Sequence, residues 1–282
     1  MTALVALVFT GLSFIATRDQ IRIAVNGQSA ERFTTAVEQI ASARLEVRLG
    51  AIHALSRIAG DSPDYHQAAM EMLAAFVRTR AAVTNRPGTA PACTASSIPE
   101  DVVAALSAIG RRDHTRDGHP VIDLSGTCLN DLVLTGADLR CVNLAVSYLE
   151  NAFLERVVLT GALLSGAHLA GVNLHRANLD HANLNGATLY TVEREGASLD
   201  GASLRDAYLT DADLTRADLS GANLDRALLT GGDFTAATLT GARLDTHLGG
   251  ATFTGATGVD RSRALDRPPT PEPAPCARNG SG

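Results

Sequence analysis

Histidine and aspartate are the residues whose spacing in this chain could bind a metal. Asp113, His114, Asp117 and His119 lie close together in one polar stretch, and histidine and acidic side chains are common zinc ligands. The same composition is typical of a polar linker between two domains, and we favour the linker. The sequence therefore predicts no metal site.

Three further histidines, His168, His175 and His181, are also close in sequence. If the chain turns a corner every five residues, they fall on different sides and do not form a joint metal site. The sequence contains no glycine-rich phosphate loop, no Ser/His/Asp arrangement and no carboxylates paired in a cleft. We therefore predict a protein that is not an enzyme, with no catalytic residues and no cofactor.

The four cysteines show no Cys-x-x-Cys spacing. Cys93 lies in a predicted loop, Cys128 and Cys141 lie in repeat units, and Cys276 lies near the C-terminus. Free thiols in a reducing cytoplasm are the simplest prediction for such a set. A surface pair of Cys128 and Cys141 is an open alternative.

A five-residue period runs from Val121 to Leu244 and determines how these side chains are placed. It comprises 25 consecutive units, with leucine at 23 central positions and alanine at 16 of the positions two before. Such a period fits neither a helix nor an ordinary strand. Residues two apart in a short extended stretch point to the same side, so the alanine and leucine face inward and the residue between them faces outward. The remaining two positions are rich in turn residues.

Units such as Ala177-Asn178-Leu179, Ala182-Asn183-Leu184 and Ala212-Asp213-Leu214 resemble the pentapeptide-repeat family. The resemblance implies an all-β, right-handed quadrilateral β-helix with four units per coil. On that basis the repeats make a solenoid of about six coils, roughly 30 Å long at ~4.8 Å per coil.

One unit departs from the pattern, because Arg194 occupies a central position. An unpaired guanidinium in a column of leucines would be very unfavourable. We therefore predict that Glu193, Arg194 and Glu195 form an outward bulge. A contact with a partner is one interpretation of this bulge, and a tolerated irregularity is the one we favour.

The register also slips after Leu244, where the next apolar residues are Leu248 and Phe253. This predicts an irregular last coil that ends near residues 256–259. Open strand edges need to be covered, so we expect Phe253 and Val259 to close this end.

Residues 1–17 carry no charge. As a helix they would reach about 26 Å, slightly short of a ~30 Å hydrocarbon core. Arg18 and Arg22 follow, which predicts a single-pass membrane anchor with the bulk of the chain in the cytoplasm. A buried N-terminal helix of a soluble protein, or a shortened start that has lost part of a longer membrane region, are the alternatives.

Residues 18–118 are predicted to form a small α-helical domain. Apolar residues with helical spacing occur in residues 31–45 and 45–59 and after Pro63 and Pro99, which is similar to a short HEAT-type array. The segments Thr17-Arg18-Asp19-Gln20, Arg32-Phe33-Thr34 and Leu45-Glu46-Val47-Arg48 resemble actinobacterial membrane-anchored pentapeptide-repeat proteins. The solenoid domain then covers 119–259, and 260–282 is a Pro-rich tail predicted to be disordered.

Charge argues against direct nucleic-acid binding by the rod. The repeats carry 15 acidic residues against 8 arginines. The family resemblance implies a DNA mimic that inhibits or protects a type II topoisomerase such as gyrase. A mimic of ~30 Å of B-DNA would need about 18 negative charges at one per ~1.7 Å, and the net charge of −7 is less than half of that. The DNA mimic is therefore the alternative function.

The preferred function is a membrane-tethered bacterial scaffold for protein–protein interaction. Several outward positions of the early coils are apolar, which usually marks a contact; they are Val133, Tyr148, Phe153, Val158 and Leu163. The simplest partner is the chain's own helical domain, folded over the open end of the rod. A separate, unknown protein or a second copy in a homodimer are the alternatives.

Overall fold

The computed structural model describes residues 28–83, 93, 97–118, 121–189, 199, 203–246, 248 and 250–259. The predicted anchor of residues 1–17 and the Pro-rich tail of residues 260–282 lie outside this part of the chain. Within it, no helix is both long and apolar enough to cross a bilayer.

In the described part of the chain, four α-helices precede the repeats: α1 (28–40), α2 (Leu45–Asp61), α3 (Pro63–Arg80) and α4 (Glu100–Gly110). They form where the apolar spacing predicts helices. Helix α2 buries Ile52, Leu55 and Ile58, which recur every third residue on one face. Pro63 lies in the first turn of α3, where its missing N–H leaves no hydrogen bond unmade.

The repeats form a solenoid in which each outward residue lies beside its counterpart four units further on. Parallel backbone pairs join Asp123 to Asn143, Asn143 to Leu163 and Leu163 to Asn183, among others. Four five-residue units therefore complete one coil. Among the described residues, the sides are single parallel bridges rather than extended strands. The central leucines are buried in one continuous column.

Four sides follow from this register, numbered in chain order. In the first two coils the outward residues are Asp123 and Asn143 on side 1, Cys128 and Tyr148 on side 2, Val133 and Phe153 on side 3, and Asp138 and Val158 on side 4. A corner separates consecutive sides. The last residue of many units turns this corner with a left-handed φ, for example 60° at Asp131 and 51° at Val146.

The predicted bulge at Glu193, Arg194 and Glu195 lies outside the described residues and stays a prediction. The register is kept across it, because Asn183 pairs with Ser203 and Thr188 pairs with Tyr208, with the same sequence separation as the pairs of the earlier coils.

At the C-terminal end, the predicted register slip is confirmed. The last pairs join Asp233 to Thr252 and Thr238 to Thr257, so their sequence separation is shorter by one than that of every earlier parallel pair among the described residues. The ring of Phe253 stacks on that of Phe234 with centroids 4.9 Å apart. Val259 packs, partly buried, against the same core. Phe253 and Val259 therefore cover this end of the leucine column.

Gly232 and Phe234 form a matched exception to the repeat. Gly232 stands where most units carry alanine, and Phe234 stands where most carry leucine. A Cβ at Gly232 would lie 3.1 Å from the Phe234 ring and 3.2 Å from the Leu229 carbonyl oxygen. The larger ring is therefore accommodated by the missing methyl group.

This pairing gives a testable prediction. We expect Gly232→Ala, although it restores the usual repeat residue, to lower the free energy of unfolding by about 1–3 kcal/mol through overpacking. In a Phe234→Leu background the same change should cost less, because the neighbouring ring is gone. Denaturant unfolding of the four proteins measures the coupling. Equal effects of Gly232→Ala in both backgrounds would show that the ring is not responsible.

Candidate interaction surface

The helical region covers part of the open N-terminal end of the solenoid. On side 2, Ala82 pairs antiparallel with Thr127, and the Cys128 N–H donates to the Ala81 carbonyl at 2.6 Å. On side 4, the Asp138 N–H donates to the Gly110 carbonyl at 2.8 Å. These bonds occupy strand edges that would otherwise be open to aggregation. The predicted contact between the helical domain and the early coils is therefore present.

Gly110 allows the closest approach between helix α4 and the rod. A Cβ at this position would lie 2.7 Å from the Cβ of Ala137, a distance that forces the backbones apart. Sequence reasoning gave Gly110 no such role, because a glycine at the end of a helix is already explained as a terminator.

Arg112 joins the two parts through a fully buried side chain. Its guanidinium donates to the Asp117 carboxylate at 2.7 Å and to the carbonyls of Ile109, Asp138 and Arg140 at 3.1, 2.6 and 3.0 Å. Asp117 also accepts from His66 Nε2 at 3.0 Å. Burial of this charge is tolerated because it is paired and hydrogen-bonded.

Two of the residues considered as metal ligands, His114 and Asp117, make ion pairs at this junction. His114 Nδ1 lies 3.1 Å from the Asp138 carboxylate, while Asp117 binds Arg112 and His66. Hydrogen bonds from Thr115 lower the pKa of Asp113. His119 lies outside the described residues, among which no group of three His, Cys, Asp or Glu side chains could hold a metal ion.

A further ion pair joins helix α3 to side 1, between Arg78 and Asp123. Partial burial would raise the pKa of Asp123, but hydrogen bonds from Ser125 and the charge of Arg78 together lower it below its usual value. The carboxylate is therefore held in its charged form.

The prediction of free cysteines is wrong. Cys93 forms a disulfide with Cys128, with Cα atoms 5.2 Å apart, so the alternative Cys128–Cys141 pair is also excluded. Cys141 is disulfide-bonded as well. The spacing of the cysteines in the sequence does not indicate the Cys93–Cys128 bond. The two residues are 35 positions apart and meet only because the chain returns to side 2 after helix α3.

The five predicted surface residues do not form one patch. Val133 and Phe153 adjoin on side 3 as predicted, and they are 61% and 52% exposed. Tyr148 lies on side 2, where its ring stacks on His168 at 4.1 Å. Val158 lies on side 4 and Leu163 on side 1. The stripe at Val133 and Phe153 is therefore the only part of the predicted surface in which two members meet on one side.

The helical region leaves this stripe uncovered, contrary to our expectation. The contacts described above occupy sides 1, 2 and 4, and the backbone N–H of Val133 has no acceptor among the described residues. The exposed Arg156 and Arg176 lie on successive coils at the corner next to side 3. The stripe thus combines apolar side chains, an open strand edge and a basic border.

Other exposed apolar residues were not identified from the sequence. Val146 is exposed at a corner, and Tyr208 and Leu228 pair on side 2 in later coils. Tyr208 and Leu228 occupy outward positions, so the repeat register could have identified them. Val146 occupies a corner position, where a branched apolar residue is unusual.

The model of the family described as pentapeptide repeats matches residues 122–156, 154–189, 195–231 and 207–245. No curated protein sequence matches the chain. Among solved structures, QnrB1, a plasmid-mediated fluoroquinolone resistance protein, is 17% identical, covering 49% of this chain and 75% of that chain with a TM-score of 0.26.

Two other solved structures share more sequence over their aligned parts. A pentapeptide repeat protein from the Arabidopsis thaliana thylakoid lumen is 38% identical, covering 35% of this chain and 62% of that chain with a TM-score of 0.20. HetL from the cyanobacterium Nostoc, a protein involved in heterocyst differentiation regulation, is 28% identical, covering 48% of this chain and 75% of that chain with a TM-score of 0.19.

Proposed function

We propose that this chain, which belongs to the pentapeptide-repeat family through residues 122–189 and 195–245, is a non-enzymatic scaffold for protein–protein interaction held at a membrane by residues 1–17. The observation that carries the proposal is the stripe at Val133 and Phe153, which stays exposed while sides 1, 2 and 4 of the same end are occupied by the helical region. Exposed apolar patches beside open strand edges are typical docking sites.

The chemistry of the stripe favours an extended segment of another protein. Such a segment would pair its backbone with the open edge at Val133 and place apolar side chains on Val133 and Phe153. Acidic side chains at one border would face Arg156 and Arg176. Both guanidinium groups belong to exposed residues, and Arg156 also contacts Glu155 at 3.5 Å.

Two features of the chain favour opposite sides of the membrane for the rod. Arg18 and Arg22 follow the proposed anchor and favour the cytoplasm. The Cys93–Cys128 disulfide favours an oxidising compartment, because disulfides are rare in the cytosol. The disulfide is the stronger of the two signals, since two arginines are a small charge bias. Impermeant thiol labelling of intact cells after reduction distinguishes the two placements.

Photo-crosslinking of the full chain in cells tests the docking site. We expect a photoreactive residue at Phe153 to yield one discrete adduct, and a second change, Val133→Asp, to reduce it at least about tenfold. Thermal unfolding should be unchanged, because both side chains are exposed. A photoreactive residue at Asn178 on side 4 is the matched control and should give no adduct.

Different adducts would distinguish the docking site from its alternatives. An adduct at Phe153 that survives Val133→Asp, or equal adducts at Phe153 and Asn178, would contradict the docking site. An adduct containing a second copy of this chain would replace the unknown protein with a homodimer. Inhibition of gyrase supercoiling by the purified full chain at micromolar concentration would replace the scaffold with the DNA mimic.

A further inference from the structure

We infer that the Cys93–Cys128 disulfide controls access to a second strand edge, on side 2 of the first coil. While the bond is intact, residues 81–83 cover the backbone edge at Cys128, and reduction of the bond releases them. The docking surface would then extend from side 3 to side 2. The inference rests on the proposed docking site only for what the uncovered edge binds, because the covering of the edge is a property of the chain alone.

Few backbone contacts hold residues 81–83 on side 2. In the described part of the chain, the Cys128 N–H donates to the Ala81 carbonyl at 2.6 Å, and the Val83 N–H donates to the Gly126 carbonyl at 3.3 Å. Two such bonds give a modest net stabilisation, because the same groups bind water when the pairing opens. Residues 81–83 also follow directly on helix α3, and helix ends fray. The pairing alone is therefore a weak cover.

The disulfide restrains this cover from its other end. Cys93 comes ten residues after Val83 in the sequence and is bonded to Cys128, the outward residue of side 2 in the first coil. The chain that begins at residues 81–83 is thus fixed to the rod at Cys93, which limits how far these residues can move away. Once the bond is broken, helix α3 restrains them at one end only, so local opening becomes easier.

Opening would lengthen the docking edge by one side. Sides 2 and 3 are consecutive, so the Cys128 N–H would become free next to the Val133 N–H, which has no acceptor among the described residues. Tyr148 lies one coil after Cys128 on side 2. In the same way, Phe153 lies one coil after Val133 on side 3. Each side would then offer an open backbone edge beside an aromatic ring, the combination that an extended segment can pair with.

Breaking the bond needs a dithiol, such as that of a reduced thiol–disulfide oxidoreductase. Cys93 is partly exposed and Cys128 is buried, so the thiolate of the reductant attacks Cys93 Sγ. A mixed disulfide forms there, and Cys128 leaves as a thiolate that takes up a proton. The second thiol of the reductant then displaces Cys93 Sγ. Two electrons and two protons have passed to the two cysteines, and the dithiol has become a disulfide.

The compartment of the rod therefore sets the state of the side 2 edge. In an oxidising compartment the disulfide persists and the edge stays covered until a dithiol reaches it. In a reducing compartment the bond is broken and the edge is open. Docking on side 2 is thus expected to depend on the redox state, whereas docking on side 3 is not.

Hydrogen exchange of the full chain tests this control. In Cys93→Ser, and in the unmodified chain after reduction, we expect the amides of Cys128 and Val83 to exchange at least about tenfold faster. The amide of Asp138, on side 4 of the same coil, is bonded to the helical region and should be unchanged, which shows that the chain is still folded. Cys141→Ser removes the disulfide at Cys141. It is the matched control and should leave all three amides unchanged.

Two exchange results would overturn the inference. Unchanged exchange at Cys128 in Cys93→Ser would show that the edge stays covered without the bond. Equal acceleration at Cys128 and Asp138 would show that the whole helical region has come away from the rod, rather than residues 81–83 alone.

A photoreactive residue at Tyr148 separates this inference from the docking site. In Cys93→Ser we expect it to form the same adduct as one at Phe153, and in the parent chain we expect none. An adduct at Phe153 with none at Tyr148 in Cys93→Ser, or an adduct at Tyr148 in the parent chain, would overturn the inference. Faster exchange at Cys128 without an adduct at either position would contradict the docking site and support the control of the edge by the disulfide.

Discussion

Replacing Arg112 with alanine is expected to lower the free energy of unfolding by about 3–5 kcal/mol and to loosen the helical region from the rod. The guanidinium is fully buried, and it is the shared partner of the Asp117 carboxylate and of two carbonyls in the first coil, those of Asp138 and Arg140. Its removal leaves the partly buried carbonyls of Asp138 and Arg140 without this donor and leaves Asp117 with His66 alone, and unmade hydrogen bonds of this kind cost more than the pair itself contributes.

Arg111 provides a matched control for this prediction. It is the preceding residue and has the same charge, but it is exposed, so Arg111→Ala should change the free energy of unfolding by less than about 0.5 kcal/mol. Chemical denaturation measures both variants, and limited proteolysis between residues 111 and 121 reports loosening of the junction. Equal stability of the two variants would show that Arg112 is not what joins the parts.

The second large effect is expected inside the helical region, at Asp101. This carboxylate is fully buried at the start of helix α4, 2.7 Å from Arg48 Nε and 3.4 Å from Arg80 Nη2. Asp101→Ala should lower the free energy of unfolding by about 3–5 kcal/mol, because Arg48 is then buried without its counter-charge. Arg48 keeps only the carbonyls of Ser42 and Ala43, each at 2.9 Å.

Glu100→Ala is the comparison for Asp101→Ala. Both acids lie in the first turn of helix α4 and interact favourably with its dipole, a contribution of about 0.3–1 kcal/mol at an exposed position. Glu100 is exposed, so its loss measures that contribution alone. Thermal and denaturant unfolding of the two variants should differ by several kcal/mol. If both are equally stable, the buried charge pair does not hold the helices together.

The repeat could be predicted from the sequence because one rule applies to every unit. A leucine at each fifth position can be buried only if the chain coils. The slip after Leu244 appears in the structure as backbone pairs whose sequence separation is shorter by one. The helices were predictable for the same reason, since their apolar residues recur with helical spacing. In both cases the signal is local and periodic.

The junction and the disulfides could not be predicted, because they depend on contacts between distant residues. Nothing near Arg112 marks it as buried, and two consecutive arginines are usually both solvated. Glycine at the end of a helix and alanine in a repeat unit are both common. A glycine is required at position 110 only because Ala137 lies so close to it in the folded chain. Cys93 meets Cys128 at a sequence separation of 35.

Part of the candidate site at Val133 and Phe153 could be predicted from the sequence. That Val133 and Phe153 adjoin follows from counting four units along the chain. That count also places Tyr148, Val158 and Leu163 on other sides, so the repeat register alone excludes a patch of all five residues. The exposure of the stripe depends on where the helical region packs against the rod, and the repeat register does not predict that position.

The four-unit coil constrains how such a rod can change its length. Deleting one five-residue unit would move every later outward residue to the neighbouring side. The pattern of side chains beyond the deletion would therefore be rotated by one side. Deleting a whole coil would shorten the rod by about 4.8 Å and leave each side in phase. A change in repeat number within a docking stripe therefore keeps that stripe on one side only if units are gained or lost in sets of four, and any other change rotates the later part of the surface relative to the earlier part.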